Sequence, residues 1–263
     1  MPPRPAQPQS GPPPPATDPA TESPTAGQFL ARMERLRSAE EEQKIRRYFK
    51  SGAGQYGAGD VFMGVRMGQV FALAREFVAL PPAELERLLE SPLHEVRAGA
   101  LKIMALQARG KRTTEERRRE LYELYRRRID RINNWDLVDV SAGDVVGGYL
   151  IDTPRHVLDE LARSTDLWER RTAIVATSTF IRLGQLDDTY RIAGILLRDE
   201  QDLIQKATGG WLREAGKRDR PRLVAFLEAN AATMPRTTLR YATEHFDREE
   251  RARYLAMKPP DGR

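Results

Sequence analysis

Trp168-Glu169-Arg170-Arg171-Thr172-Ala173 is one copy of a pattern that recurs along this chain. It sets a cation and then a small residue early in an amphipathic stretch. The arrangement returns as His94-Glu95-Val96-Arg97-Ala98, as Ile204-Gln205-Lys206-Ala207 and as Thr238-Leu239-Arg240-Tyr241-Ala242. Arg171, Lys206 and Arg240 are 35 and 34 residues apart, and Arg97 precedes Arg171 by 74, two steps of 37. The missing copy is expected near residues 134–136, where Asn133-Asn134-Trp135-Asp136 stands. Periods of roughly 35–45 residues with two helices each indicate an all-α fold, a HEAT-like α-solenoid. That is a curved superhelix of antiparallel helix pairs whose second helices share the concave face. Arg97, Arg171, Lys206 and Arg240 would form a row there. Such a row suits a duplex backbone, which carries a negative charge about every 1.7 Å of axis. The alternative is that each cation simply solvates a helix surface.

Outward from the repeat, apolar residues keep helical spacing, and glycine and proline punctuate them. Leu121, Leu124, Tyr125, Ile129 and Ile132 show it within 113–132. No convincing alternating strand run appears. Helices are expected near 28–49, 67–79, 82–90, 92–108, 113–132, 135–142, 154–164, 167–183, 187–198, 201–216, 220–231 and 235–246. Ser91-Pro92 and Thr153-Pro154 read as a capping hydroxyl before a proline at the first helical position. Asp219 with Pro221, and Pro235, read as further helix starts.

Ten of the 18 prolines precede residue 25. So proline-rich a start buries too little apolar surface to fold, and residues 1–26 are expected to be a disordered tail. Residues 27–263 are expected to form one helical domain. The 263-residue chain carries +5, of which the tail to residue 24 contributes −1 and the remainder +6. There are no cysteines, which excludes disulfides, cysteine-based zinc sites and thiolate nucleophiles. Only His94, His156 and His245 exist, too widely spaced for a histidine-rich metal site. No cofactor or metal is expected, nor any membrane span or secretion signal. A cytoplasmic protein, nucleoid-associated when bound to DNA, is the expectation.

Asn133-to-Asp139 is the strongest local feature. An Asn opening the helix puts Trp135 and Asp139 at i and i+4 on one face. An aromatic face beside a carboxylate suits a cationic target. A core Trp and an aspartate placed for the helix N-terminus is the other reading. Arg170 and Arg171 beside Trp168 suit a phosphate clamp, or ion pairs with neighbours. Gly209 and Gly210 lie inside a helical run with Lys206, Trp211 and Arg213. Glycine there is unfavourable, so close helix packing or approach to a ligand would justify it. The glycine-rich stretch Lys50–Arg66 lacks the ending of a phosphate-binding loop and reads as a long ordered loop, with contact to a partner as a further role. Lys111–Arg131, with nine basic and five acidic residues, reads as a solvated outer face or as phosphate contacts. His94 reads as packing or hydrogen bonding at a helix start.

Together with Tyr48-Phe49-Lys50, Gly64-Val65-Arg66 and Met234-to-Ala242, these motifs occur in one order. The chain resembles the DNA alkylation repair family typified by AlkD, over about residues 40–246. The resemblance implies a basic concave face that grips duplex DNA as a monomer. It also implies a glycosylase that excises positively charged N-alkylated purines, 7-methylguanine and 3-methyladenine, without flipping the base into a pocket. By position, the family's catalytic aspartate is Asp139, its first sugar-contacting tryptophan Trp135 and its backbone-contacting arginine Arg171. Its second tryptophan falls on Gly210, and Trp211 stands one position on. One helical position is a rotation of about 100°, so Trp211 requires a local adjustment such as a bulge to serve as the second aromatic wall. Arg97, Arg170, Lys206, Arg213 and Arg240 complete the expected DNA contacts. Some relatives bind DNA without base excision. A non-catalytic module for damaged or branched DNA, and a protein-binding scaffold, therefore stand as alternatives.

Overall fold

The computed structural model describes residues 23–52 and 55–258 of the chain. Most of the expected tail, residues 1–22, lies outside them. Among the described residues there are helices and no strand, only an isolated bridge between Val61 and Leu93.

The helices are α1 (Ala26–Glu34), α2 (Ala39–Tyr48), α3 (Met67–Glu76), α4 (Pro82–Leu89), α5 (His94–Ala108), α6 (Glu115–Arg127), α7 (Trp135–Ala142), α8 (Val157–Ala162), α9 (Leu167–Ala176), α10 (Ser178–Arg182), α11 (Asp187–Ile195), α12 (Asp202–Gly216), α13 (Arg220–Asn230), α14 (Arg236–Ala242) and α15 (Arg248–Ala256). A 3-10 turn covers Ile129–Arg131, and a π turn, Gly143–Gly147, extends α7. The fold is an α-solenoid. Helices α5, α7, α9, α12 and α14 pack in sequence as an inner layer, with α4, α8, α11 and α13 against its outer side. The inner helices begin 32 to 41 residues apart. The expected missing repeat is α7.

One apolar core runs through the layer, from Ala26 and Phe29 to Leu239 and Tyr254. Helix α5 is buried almost all round, so its polar groups need internal partners. In α5, Glu95 accepts from the backbone N–H groups of Met63, Gly64 and Val65 at 2.9–3.3 Å. Gln107 donates to the Val78 and Leu80 carbonyls at 2.7 Å each. These two side chains pin the loop around Gly64, and the turn before α4, to the inner layer.

Several expected boundaries change. The run 28–49 is two helices, because Ser38 caps a fresh start at α2. Helix α1 begins at Ala26, just inside the expected tail, where Thr25 and Gln28 form a reciprocal capping box. Ser91 does not cap α5: its hydroxyl accepts from Leu93 N–H, and the helix starts beyond it. Thr153 does not cap α8 either, since its hydroxyl donates to the Tyr149 carbonyl and α8 starts only at Val157. Asp219 and Pro235 do open α13 and α14. The run 167–183 divides at Thr177, and α15 was not anticipated.

Candidate functional site

A groove of about 880 Å³ runs along the inner layer from α2 to α14. Trp135 and Asp139 face it from α7, Arg171 from α9, Lys206, Gly210, Trp211 and Arg213 from α12, and Tyr241 from α14. Tyr48, Lys50 and Tyr56 close its other end.

Helix α7 presents Trp135 and Asp139 together because its start is fixed twice. The Asn134 side-chain oxygen accepts from Trp135 N–H at 2.8 Å, and its amide nitrogen donates to Asp60 at 2.6 Å. Trp135 then stacks on Phe49, centroids 5.7 Å apart, and its indole N–H donates to the Tyr56 hydroxyl at 3.2 Å. The indole is half-buried and held on one side, leaving the other toward the groove. Asp139 is 39% exposed. Both of its oxygens accept from Arg171, Nε at 2.9 Å and Nη2 at 2.8 Å, while Arg171 Nη1 donates to the Leu203 carbonyl at 2.6 Å. The groove thus holds a carboxylate oriented by a buried guanidinium.

Trp211 shares this groove with Trp135 and Asp139. Helix α12 is unbroken from Asp202 to Gly216, so no bulge brings the indole there. Gly209 and Gly210 have different reasons. A Cβ on Gly209 would stand 2.4 Å from the Thr238 carbonyl oxygen and 2.6 Å from Tyr241 Cβ, so α12 and α14 can approach only with glycine there. A Cβ on Gly210 would meet nothing within 4 Å, which leaves open room in the groove beside Trp211.

The expected row of cations is brought together only in part. Arg171, Lys206 and Arg213 line the groove. Asp202 pairs with the Lys206 ammonium at 2.6 Å and holds it above its ordinary range. Arg213 pairs with Glu244 and Glu214. Arg240 is exposed but lies outside the groove lining. Arg97 is a correction: it is 4% exposed and donates to Asp60 at 2.9 Å, so it is a structural ion pair rather than a backbone contact. Arg170 is a second. It turns from Arg171 to Asp199 and to the Ser164 and Thr165 carbonyls, so the two arginines make no common clamp. The basic run of α6 is an outer face, tied to α4 through Arg127–Glu86 and Arg128–Glu90.

Beneath Trp135 lies a buried charged cluster. His94 Nε2 is 2.8 Å from Asp136, and its Nδ1 is 3.7 Å from Asp60, a charge contact rather than a hydrogen bond. Burial pushes His94 down, but the Asp136 hydrogen bond and the Asp60 charge outweigh it and hold the imidazole at about 9. Burial pushes the Asp60 carboxyl up, but His94, Asn134 and Arg97 win and hold it below its ordinary value. The imidazole also lies 4.8 Å from the Phe49 ring and 5.0 Å from Phe62.

The model of the DNA alkylation repair enzyme family matches residues 29–246. The chain belongs to that family. Among curated proteins, none matches. A solved structure described as a predicted DNA alkylation repair enzyme from Enterococcus faecalis is similar in fold. Its TM-score is 0.62 and its sequence identity 16%, over 81% of this chain and 98% of that one. Family membership makes DNA repair, with DNA as the partner, the role of this protein. Among the described residues, no helix is long and apolar enough to cross a membrane.

Several groove residues carry no signal of that role in the sequence, among them Tyr48, Lys50, Tyr56, Gln201, Asp202, Leu203 and Tyr241. Tyr48 and Lys50 lie within one of the family-like motifs, and Tyr241 within a repeat, but nothing local marks them as groove-facing. Tyr56 sits in the glycine-rich loop, whose partner is the chain's own Trp135. Asp60 carried no signal at all, because its partners lie 34 to 74 residues away.

Proposed function

We propose that this protein is an AlkD-like, HEAT-repeat DNA glycosylase that excises positively charged N-alkylated purines from duplex DNA. The observation that carries the reading is the one groove lined by Trp135, Trp211 and the Asp139 carboxylate that Arg171 aligns.

That arrangement matches the chemistry. A 7-methylguanine nucleotide is cationic at the base. When the C1′–N9 bond breaks, its electron pair goes to N9, and 7-methylguanine leaves neutral. The sugar is left as an oxocarbenium-like cation, as in glycoside hydrolysis. Asp139, 39% exposed, stabilises that cation and orients a water toward C1′. The water oxygen bonds to C1′, and its surplus proton goes to solvent. No strong general acid is required, since the leaving group carries its own charge. Trp135 and Trp211 offer aromatic faces to the electron-poor sugar. Lys50, Lys206 and Arg213 suit the flanking phosphates. A single solenoid domain acting as a monomer on DNA in the cytoplasm or nucleoid fits this work.

The test is incubation with duplex DNA carrying 7-methylguanine. Free 7-methylguanine is expected from the natural protein, and only far more slowly from Asp139→Asn. Duplex binding without any released base from the natural protein would replace this reading with that of a non-catalytic DNA-binding module.

A further inference from the structure

Of the three histidines, His94 alone is wholly enclosed, and the chemistry proposed above makes no use of it. Its ring is 0% exposed and lies between carboxylates from two different parts of the chain. Asp136 belongs to the first turn of α7, while Asp60 belongs to the loop that precedes α3. Asp60 in turn accepts from Asn134, the residue that caps α7, and from Arg97 of α5. A buried ionic cluster of this kind is a poor source of stability, because desolvation offsets most of the attraction. What it can supply is a unique arrangement. This one surrounds the entry of α7, the helix that presents Trp135 and Asp139.

We propose that His94, charged and held between Asp60 and Asp136, is a positioning residue that fixes the start of α7 and so the aim of Trp135 and Asp139 into the groove. The inference rests on the reading of those two as working residues. Two independent contacts connect His94 to them. The polar route runs through Asp136 and through Asp60 to Asn134, on either side of Trp135 in the chain. The apolar route runs through Phe49, which packs on the imidazole at 4.8 Å and on the Trp135 indole at 5.7 Å. Among the described residues, three charged side chains face or adjoin the ring. Asp136 comes from α7, Asp60 from the loop and Arg97 from α5. Arg131, in the turn before α7, adds a further positive charge near Arg97. Glu95, next in sequence, is turned away onto the Met63–Val65 amides. Deprotonating His94 would leave Asp136 with a neutral partner, and Asp60 with Arg97 and the neutral Asn134 amide. Asp136 already has one buried oxygen without a partner, so it has nothing to fall back on.

Position rather than catalysis is what the experiment reads. The chain has three tryptophans, so a 15N-labelled protein gives three indole N–H signals, with Trp135 assigned through Trp135→Phe. Between pH 7 and 10 the Trp135 signal is expected to shift with a midpoint near 9, the value at which His94 is held, while Trp168 and Trp211 keep theirs. In His94→Gln the Trp135 signal is displaced at pH 7 and that midpoint is gone. Tyr56 remains in this variant, so any pH response that persists there is subtracted. On duplex DNA carrying 7-methylguanine, His94→Gln is expected to lower the single-turnover excision rate about ten- to a hundredfold with duplex affinity kept, as a small misplacement does. Should His94→Gln fail to fold, Asp136→Asn carries the same displacement test from the partly exposed end of the cluster. If the natural protein excises nothing, the functional reading falls while the indole arm still decides this one. A folded variant whose Trp135 signal keeps its natural position and pH response overturns the proposal.

Discussion

Arg171 and Asp139 meet fork to fork across the α7–α9 contact, with Nε on one carboxylate oxygen at 2.9 Å and Nη2 on the other at 2.8 Å. The pairing fixes the carboxylate in its plane before any substrate arrives. It also means that Arg171, only 9% exposed at its side chain, is first a partner of Asp139 and only secondly a candidate for phosphate contact. That ordering differs from the role implied by resemblance, in which the arginine's business was the DNA backbone.

Arg171→Lys separates the two roles. Lysine keeps the positive charge but cannot reproduce the planar two-donor fork. Excision of 7-methylguanine is expected to fall by about tenfold or more, as for the loss of a positioned charge in a transition state. Duplex affinity should change little. In a cycle with Asp139→Asn, the two substitutions should couple by about 0.5–3 kcal/mol in the transition state. Strict additivity would show that the fork does not serve catalysis.

The paired glycines of α12 predict opposite outcomes for one methyl group. Gly209→Ala drives a Cβ to 2.4 Å from the Thr238 carbonyl, so it should destabilise by about 1–3 kcal/mol through overpacking. Gly210→Ala meets open space in a helix interior, and it should stabilise by about 0.5–1 kcal/mol. Urea unfolding of the two variants beside the natural protein checks the sign of each.

The sequence made the solenoid legible because its repeat is local. Four copies encode a helix with a cation near its start, and the fifth, which has none, could be placed at Trp135 by counting. That Trp135 and Asp139 share one face of a helix was legible for the same reason, since they lie one turn apart. What could not be read was which cations face the groove. Arg97, Arg171, Lys206 and Arg240 occupy matching positions, yet only Arg171 and Lys206 line it. The difference lies in distant partners. Asp60 reaches Arg97 across 37 residues, and that carboxylate had no pattern of its own. The divergence of Arg170 from Arg171 was hidden likewise, because Asp199 lies 29 residues beyond.

The Asp60–His94 pair gives the protein a two-sided pH dependence. His94 is held up at about 9 from an ordinary 6.5, so the stability it contributes is complete below 6.5 and is lost as pH rises through 9. Asp60 is held below its ordinary 3.8, so its contribution is present above that value and is lost as pH falls through the lowered one. Unfolding free energy measured in urea should therefore decline from pH 6.5 toward 9.5. Asp60→Ala removes one carboxylate from a cluster with two buried cations. It should cost about 3–5 kcal/mol at pH 6 and flatten the alkaline decline. An unaltered slope above pH 7 in that variant would assign the decline to other groups.

Salt dependence distinguishes the groove cations from their look-alikes. Each phosphate neutralised releases condensed counterions, so the slope of log affinity against log salt changes by about 0.9 per contact on duplex DNA. Lys206→Ala and Lys50→Ala, both in the groove lining, should each reduce that slope by about one and weaken binding across sequences. Lys206 starts from an ion pair with Asp202 at 2.6 Å, so its effect depends on DNA displacing that carboxylate. Arg97→Gln is the contrasting case. Its guanidinium is 4% exposed and committed to Asp60, so the variant should unfold at lower urea yet keep the natural salt slope. Fluorescence anisotropy on one duplex at several salt concentrations reads all three. A reduced slope for Arg97→Gln would mean that DNA binding opens the cluster beneath α7, because a guanidinium this deep can reach a phosphate only if Asp60 releases it.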